Sequence, residues 1–152
     1  MDFISNIFAP IYETWFQLSN NQFSLIFDTL FKDDGYIMFG LSFIIIPLIS
    51  WLLFYYVWKY PYGKLWHWLV WLLITFIFVV GLTYGIANNE IFVSDNQALI
   101  DALADSESGY EQFAKTLPLK YALINGILTI GISFIYSLIL KQFSKIQIHL
   151  PF

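Results

Sequence analysis

Polar side chains recur at helical spacing along an apolar stretch near the C-terminus, and their types could support chemistry. They are Asn125, Thr129, Ser133 and Tyr136, flanked by Gly126 and Ser137. At 100° per residue the six positions fall within about 120° of arc, so a helix would present them as one polar face. Such a face can hydrogen-bond to a neighbouring helix that the small residues let approach closely. It can also line a water-filled pore. The spacing favours helix packing and keeps the pore as an alternative.

Groups suited to catalysis or metal binding are sparse elsewhere. The chain has no Cys and only two His, at positions 67 and 149, which does not favour a thiolate or multi-His metal site. No nucleophile-elbow, zinc-protease, phosphate-loop or EF-hand pattern occurs among its residues. The net charge is −4, without basic clusters, which argues against a nucleic-acid partner. We therefore expect no enzymatic activity, no cofactor and no bound metal.

The elements that must position the polar face are long apolar segments. Hydrophobic residues make up 59% of the 152 positions and charged residues only 12%. Residues 36–58, 65–87 and 119–140 are each long enough to cross a bilayer as a helix, and their interiors carry no charge. Pro47 predicts a kink in the first segment. The sequence thus predicts an all-α integral membrane protein, a single membrane domain with three transmembrane helices.

Charge distribution indicates the orientation of these helices. The connector 59–64 and the tail 141–152 each carry two Lys and no acid, whereas all eleven acids lie in residues 1–35 and 88–118. The positive-inside rule then places the N-terminus outside the cytoplasm and the C-terminus inside. We expect a location in a bacterial inner (cytoplasmic) membrane, with residues 1–35 and 88–118 extracytoplasmic.

Aromatic residues crowd the cytoplasmic ends of the first two spans. They predict a membrane-interface belt of Trp58, Tyr60, Tyr62, Trp66, Trp68 and Trp71. The short connector 59–64 would make the two spans an antiparallel hairpin.

Two short amphipathic helices are predicted ahead of the first span. Asn21 could cap a helix whose apolar stripe is Phe23, Ile26, Phe27, Leu30 and Phe31. Pro10 suits the first turn of an earlier helix. We expect these helices to lie in the outer-leaflet interface or to pack on a partner protein.

The connection 88–118 is predicted to form an acidic helical hairpin outside the membrane. Ser94 with Gln97, and Ser108 with Glu111, fit capping boxes that would each begin a helix. Pro118 would end the second helix or begin the third span.

These features predict a non-catalytic subunit that anchors or scaffolds a larger envelope assembly, of the secretion or injection type. Its expected partners are the lipid bilayer, further membrane subunits and copies of itself. A homo-oligomeric channel or pore lined by the polar face of the third span is the alternative.

Overall fold

Six α-helices form the chain within residues 2–58, 65–105 and 107–144, the part that a computed structural model describes. They are α1 Asp2–Pro10, α2 Ser24–Lys32, α3 Gly35–Leu52, α4 Leu65–Phe92, α5 Gln97–Ala104 and α6 Tyr110–Phe143. Within these ranges no strand occurs. Short π-helical turns, Ile11–Trp15 and Leu53–Val57, extend α1 and α3, and the 3-10 turn Asn21–Phe23 leads into α2.

Three helices are long and apolar enough to cross a membrane, as a multi-pass protein requires. With the π-helical turn that follows α3, they are Gly35–Val57, Leu65–Phe92 and Tyr110–Phe143. Two of them are longer than the predicted spans, because α4 continues past residue 87 and α6 begins well before residue 119. The 34 residues of α6 make a helix about 51 Å long, which exceeds a hydrocarbon core of about 30 Å.

Pro118 neither ends nor begins a helix, contrary to the prediction, because α6 runs straight through it. A proline in a helix removes one backbone hydrogen bond and crowds the preceding turn. Here Pro118 is itself buried, together with Ala114, Leu117 and Tyr121 on the same side of α6. The packed stripe therefore continues across the proline, and tertiary contacts compensate for the missing bond.

The three long helices pack into a bundle in which α6 contacts both α3 and α4. Buried aromatic and aliphatic residues form two clusters. The larger one joins α1, α2 and α5 to the start of α3, the end of α4 and the first half of α6. The smaller one lies at the opposite end of the bundle and is centred on Trp51, Phe54, Tyr55 and Trp68.

The N-terminal helix is packed on the bundle rather than spread apart from it. The Phe8 ring covers Gly40 of α3 so closely that a Cβ at Gly40 would lie 2.5 Å from it. Gly40 is about 7.5 Å along α3 from its first residue, at 1.5 Å per residue. Only a residue without a side chain permits this approach, so Gly40 fixes how deep α1 sits against the first span.

The apolar stripe of α2 is covered by other helices of the same chain. Phe23 stacks on Phe113 of α6 with ring centroids 4.4 Å apart, and Phe27 meets the same ring edge-on. Ile26 and Leu30 are fully buried and Phe31 is half-buried. The stripe therefore contacts α3, α5 and α6, an arrangement that the sequence did not suggest.

Several helix ends differ from the predicted ones. Pro10 ends α1 and directly precedes the π-helical turn Ile11–Trp15. The side-chain cap ahead of α2 is Asn20, at the start of the 3-10 turn, and not Asn21. The Asn20 side chain accepts a hydrogen bond from the Gln22 backbone at 3.0 Å. Asn20 has the extended backbone that an N-cap needs.

Neither predicted capping box in the 88–118 connection forms. Asn96 caps α5 by accepting from the Ala98 backbone at 3.1 Å. Ser94 instead accepts from the Asn96 backbone and donates to Asp33. The cap of α6 is Gly109 in the left-handed region, while the Ser108 hydroxyl bonds carbonyls of the turn before it, including that of Ala102 at 3.0 Å. The left-handed conformation at Gly109 is one that Gly adopts far more readily than Ser. Ser and Asn are comparable caps, so the choice of Asn96 does not follow from residue type.

Candidate functional site

The polar face of the third span is buried inside the bundle. Asn125, Thr129, Ser133 and Ser137 have no exposed surface. Gly126 is also buried, whereas Tyr136 at the edge of the face is half-buried. The opposite side of α6 carries exposed apolar residues, which are Leu123, Ile127, Ile130, Phe134, Ile135, Leu138 and Ile139. The structure thus brings the predicted polar residues together against α3 and α4.

Asn125 is the centre of a hydrogen-bond network that joins all three long helices. Its Nδ2 lies 3.0 Å from the Phe39 carbonyl and 3.1 Å from Ser42 Oγ, both in α3. The same atom lies 2.9 Å from Thr83 Oγ1 in α4. Because an amide nitrogen carries only two hydrogens, two of these three bonds form at a time. Ser42 and Thr83 are also 3.2 Å apart, so the network stays connected whichever two form.

The same asparagine fixes the N-terminal segment. The Tyr12 hydroxyl donates to Asn125 Oδ1 at 2.6 Å, across 113 positions of sequence. Burial raises the pKa of the Tyr12 hydroxyl, so it stays protonated and remains a donor. The Tyr12 ring stacks on Tyr36 and meets Phe39 and Tyr121 edge-on. A residue that the sequence assigned to an interfacial helix is therefore part of the bundle core.

A carboxylate lies at the edge of this tyrosine cluster. Glu13, next to Tyr12 in sequence, is half-buried, and its carboxylate accepts a hydrogen bond from the Tyr36 hydroxyl. The bond joins the N-terminal segment to the first turn of α3. It gives the segment a second polar attachment beside the Tyr12–Asn125 bond.

Gly126 allows α4 and α6 to approach closely. A Cβ at Gly126 would lie 2.5 Å from the Phe76 ring and 2.8 Å from a Val80 methyl group. By contrast, nothing lies within 4 Å of the corresponding position at Gly131, on the opposite side of α6. The contact shows that Gly126 belongs to a helix–helix interface, where small residues are favoured.

A second hydrogen-bond network lies at the other end of the polar face. Ser137 Oγ is 2.6 Å from the Tyr55 hydroxyl of the first span and accepts from Trp68 Nε1 of α4 at 2.8 Å. The Tyr55 carbonyl in turn accepts from Ser144 Oγ at 2.8 Å. The three spans are thus joined through α6 at both ends of the face.

The two networks are separated by hydroxyls that make no side-chain bonds. Thr129 Oγ1 and Ser133 Oγ are buried and have no hydrogen-bond partner. Contacts in this middle stretch are therefore van der Waals contacts. Ser50 and Thr75, whose hydroxyls lie 2.6 Å apart, join α3 to α4 without α6.

The predicted aromatic belt has several roles in the structure. Trp66 is 69% exposed and Trp58 42% exposed, as interface anchors would be. Trp68 is buried and bonds Ser137, and Trp71 is half-buried and donates to the Ser50 carbonyl at 3.0 Å. These two tryptophans contribute to helix packing. Tyr60 and Tyr62 lie outside the described residues, as do the connector 59–64 and the tail beyond residue 144.

The two His residues and the acidic side chains were the candidates for metal binding. Within residues 2–58, 65–105 and 107–144, no group of three or more His, Asp or Glu side chains could hold a metal ion. His67 is half-buried near the start of α4, and His149 lies outside the described part of the chain. No family model matches the chain, and neither a curated protein nor a solved structure does. The geometry of the polar face is therefore the basis for a functional proposal.

Sequence reasoning identified the α6 residues but missed their main partners. Tyr12 was expected at an interface, and Tyr36 was given no role. Ser42 and Thr83 lie on the first and second spans, apart from the polar face of the third. These partners lie on different elements of the chain, so periodicity within one helix gives no signal for their pairing. Their contacts could have been predicted only by matching the polar residues of one span with those of another.

Proposed function

We propose that the chain is a non-catalytic subunit of a bacterial inner-membrane assembly, in which it acts as an anchor or scaffold. One observation carries the proposal: Asn125 bonds α3, α4 and the N-terminal segment at once. The most polar group of the third span is therefore used to hold the chain's own helices together. A pre-assembled, apolar-walled bundle of this kind is suited to support other subunits.

The proposed orientation places α2, α5 and the start of α6 outside the cytoplasm. These elements contact one another at one end of the bundle, where Asp28, Asp33, Asp101 and Glu111 lie. Lys141 lies in the last turn of α6, at the other end. The distribution agrees with the positive-inside rule, which puts the N-terminus outside and the C-terminus inside.

The acidic extracytoplasmic end is the proposed contact with partner subunits. Residues 88–118 carry six acids and one Lys, and that Lys115 is already paired with Glu111 at 2.6 Å. The remaining carboxylates favour a partner with a basic surface. A secretion- or injection-type machine of the cell envelope is the proposed setting, with further membrane subunits or copies of the chain around the bundle.

The burial of the polar face favours this scaffold over a channel. A pore lined by Thr129 and Ser133 would need both side chains to meet water, whereas both are fully buried against neighbouring helices. Opening such a pore would separate α6 from α3 and α4. That motion would break the bonds at Asn125 and Ser137 together.

Ser133→Asp separates the two functions experimentally. In a packed bundle the new carboxylate is buried, at a cost of about 2.5–3.5 kcal/mol near mid-bilayer. We expect a lower yield of intact complex after mild detergent extraction, and no reproducible unitary currents from the wild-type protein in planar bilayers. Currents whose ion selectivity shifts with Ser133→Asp would contradict the scaffold.

The orientation has its own test, which uses the absence of Cys from the chain. A single Cys in the connector 60–63 should be protected from membrane-impermeant thiol reagents in intact cells. A Cys in the turn 105–109 should react. The opposite pattern would reverse the proposed topology.

A further inference from the structure

The N-terminal helix α1 runs antiparallel to α3 along the first span. Tyr12, in the π-helical turn that follows α1, stacks on Tyr36 in the first turn of α3. Phe8, one turn earlier in the chain, lies on Gly40 and meets Phe43 edge-on, with ring centroids 6.1 Å apart. Earlier residues of α1 therefore contact later residues of α3, and the direction from Tyr12 to Phe8 leads into the span.

The contact with Phe43 places this part of α1 within the hydrocarbon of the bilayer. Asp33 and Asp34 directly precede α3, and ionised carboxylates are costly in hydrocarbon, so the hydrocarbon begins near the start of α3. Phe43 lies about 12 Å along α3 from its first residue, Gly35. One leaflet contributes about 15 Å of hydrocarbon, so the Phe8 ring lies deep within that leaflet. A helix tilt of about 20° changes this depth little.

The uncharged part of the N-terminal segment matches one leaflet in length. Residues 3–12 carry no Asp, Glu, Lys or Arg and lie between Asp2 and Glu13. Ten helical residues are about 15 Å long, which is half of a hydrocarbon core of about 30 Å. Glu13 accepts a hydrogen bond from Tyr36, so the charged end of the stretch lies level with the start of α3, where the hydrocarbon begins.

The two faces of α1 have different surroundings. The buried face has the i, i+3, i+4, i+7 spacing of one helical stripe and consists of Ser5, Phe8, Ala9 and Tyr12. The opposite face is exposed and carries Asn6, Ile7 and Pro10, with Ile7 53% exposed. Because this face lies at the depth of the hydrocarbon, acyl chains are the partner that it fits. Asp2, the first residue of α1, opposes insertion, so packing on α3 must hold the helix at this depth.

We propose that α1 is a half-membrane helix, which enters one leaflet antiparallel to α3 and exposes its outward face to the acyl chains of that leaflet. This position differs from the one that the sequence suggests, in which the helix axis lies along the membrane surface. The inference rests on the three spans crossing a bilayer. It depends neither on which side faces the cytoplasm nor on the role of the chain as an anchor.

The depth of single spin labels in proteoliposomes distinguishes the two positions. The chain has no Cys, so a nitroxide on Asn6→Cys or Thr14→Cys is the only label on the purified full-length protein. Collision rates with oxygen, which concentrates in hydrocarbon, and with the water-soluble nickel chelate NiEDDA give the depth of each label in phosphatidylcholine vesicles. Labels on Met38→Cys and Ile45→Cys, both at exposed positions of α3, provide the matched depth scale.

A half-membrane helix separates the two α1 labels in depth. The label at Asn6 should lie about 10–12 Å deeper than the label at Thr14, because eight residues at about 1.5 Å each separate them along the helix. It should lie level with Ile45 rather than Met38, and it should collide with oxygen as often as the label at Ile45. Ile7→Cys repeats the measurement at a second exposed position and should give the same depth as Asn6→Cys.

Equal depths at Asn6 and Thr14 would place the helix along the membrane surface and overturn the proposal. The proposal is also wrong if the label at Asn6 lies deep but meets oxygen much less often than the label at Ile45, because a second copy of the chain would then cover that face instead of lipid. A deep label at Asn6 or Ile7, a shallow one at Thr14 and frequent oxygen collisions at the deep position together support it.

Discussion

Replacing Asn125 by Leu tests how far polar bonds hold the bundle together. Leu has the same branched shape and the same number of side-chain heavy atoms as Asn, so the change removes hydrogen bonds without opening a cavity. Three bonds to Asn125 can exist at once, because its amide has two hydrogens and Oδ1 accepts from Tyr12. At about 0.6 kcal/mol for each interhelical bond, the expected loss is about 2 kcal/mol, or about a 30-fold rise in the unfolded fraction.

The loss should be at least this large, because the buried Tyr12 hydroxyl is left without its partner and an unpaired buried group costs about 1–3 kcal/mol. Ser42 still donates to the Phe39 carbonyl at 2.8 Å and still contacts Thr83, so these groups stay paired. Tyr12 loses its bond to Oδ1. The free energy of unfolding can be measured by SDS titration in mixed micelles, with the fluorescence of the buried Trp51 and Trp68 as the signal.

The matched control is Asn88→Leu, the same substitution at an exposed position of α4. It should change the free energy of unfolding by less than about 0.5 kcal/mol. A loss below about 0.5 kcal/mol for Asn125→Leu would refute the reasoning, because the network would then contribute nothing measurable. An equal loss in Asn88→Leu would refute it too, since the effect would come from the substitution and not from the network.

Two further matched pairs follow from the structure. Gly126→Leu should lower the free energy of unfolding by about 1–3 kcal/mol, since even a Cβ there would lie 2.5 Å from a neighbouring side chain. Gly131→Leu, in open space on the same helix, should leave the free energy of unfolding unchanged. Equal effects of the two substitutions would argue against a close contact at Gly126. Trp68→Phe should cost about 1 kcal/mol through the lost bond to Ser137. Trp66→Phe, at an exposed site, should leave the free energy of unfolding unchanged in the same SDS titration. A loss comparable to that of Trp68→Phe would show that the effect does not come from the bond to Ser137.

The three spans could be predicted from sequence because hydrophobicity adds up along a segment, independently of the rest of the chain. Twenty apolar residues without an interior charge indicate a membrane helix whatever the rest of the chain does. Helix ends carry no such signal. Pro118 breaks helices in most contexts, yet here Ala114 and Tyr121 pack on both sides of it and α6 continues. That outcome depends on contacts between helices, which a local pattern does not contain.

The α6 residues of the candidate site were predictable from sequence, but their partners on other elements were not. Asn125 and Ser137 lie within about 120° of arc on one helix, and a period of 3.6 residues reveals this spacing. Tyr12 reaches Asn125 across 113 positions, and no periodicity links them. The N-terminal stretch also resembles an interfacial helix, because an apolar face looks the same whether it meets lipid or protein. The packing of Phe8 on Gly40 and the burial of Tyr12 show that this segment meets protein.

The placement of bonds along α6 suggests what the two networks contribute beyond their modest energy. Asn125 and Ser137 are twelve positions apart, about 18 Å along the helix, and the buried hydroxyls of Thr129 and Ser133 between them are unpaired. A shift of α6 by one residue would turn it by about 100° and break the bonds at both ends together. The same turn would also bring a side chain into the place of Gly126, where even a Cβ would lie 2.5 Å from the Phe76 ring. Bonds at both ends therefore set the register and rotation of α6, the role for which buried polar groups in packed helices are best attested.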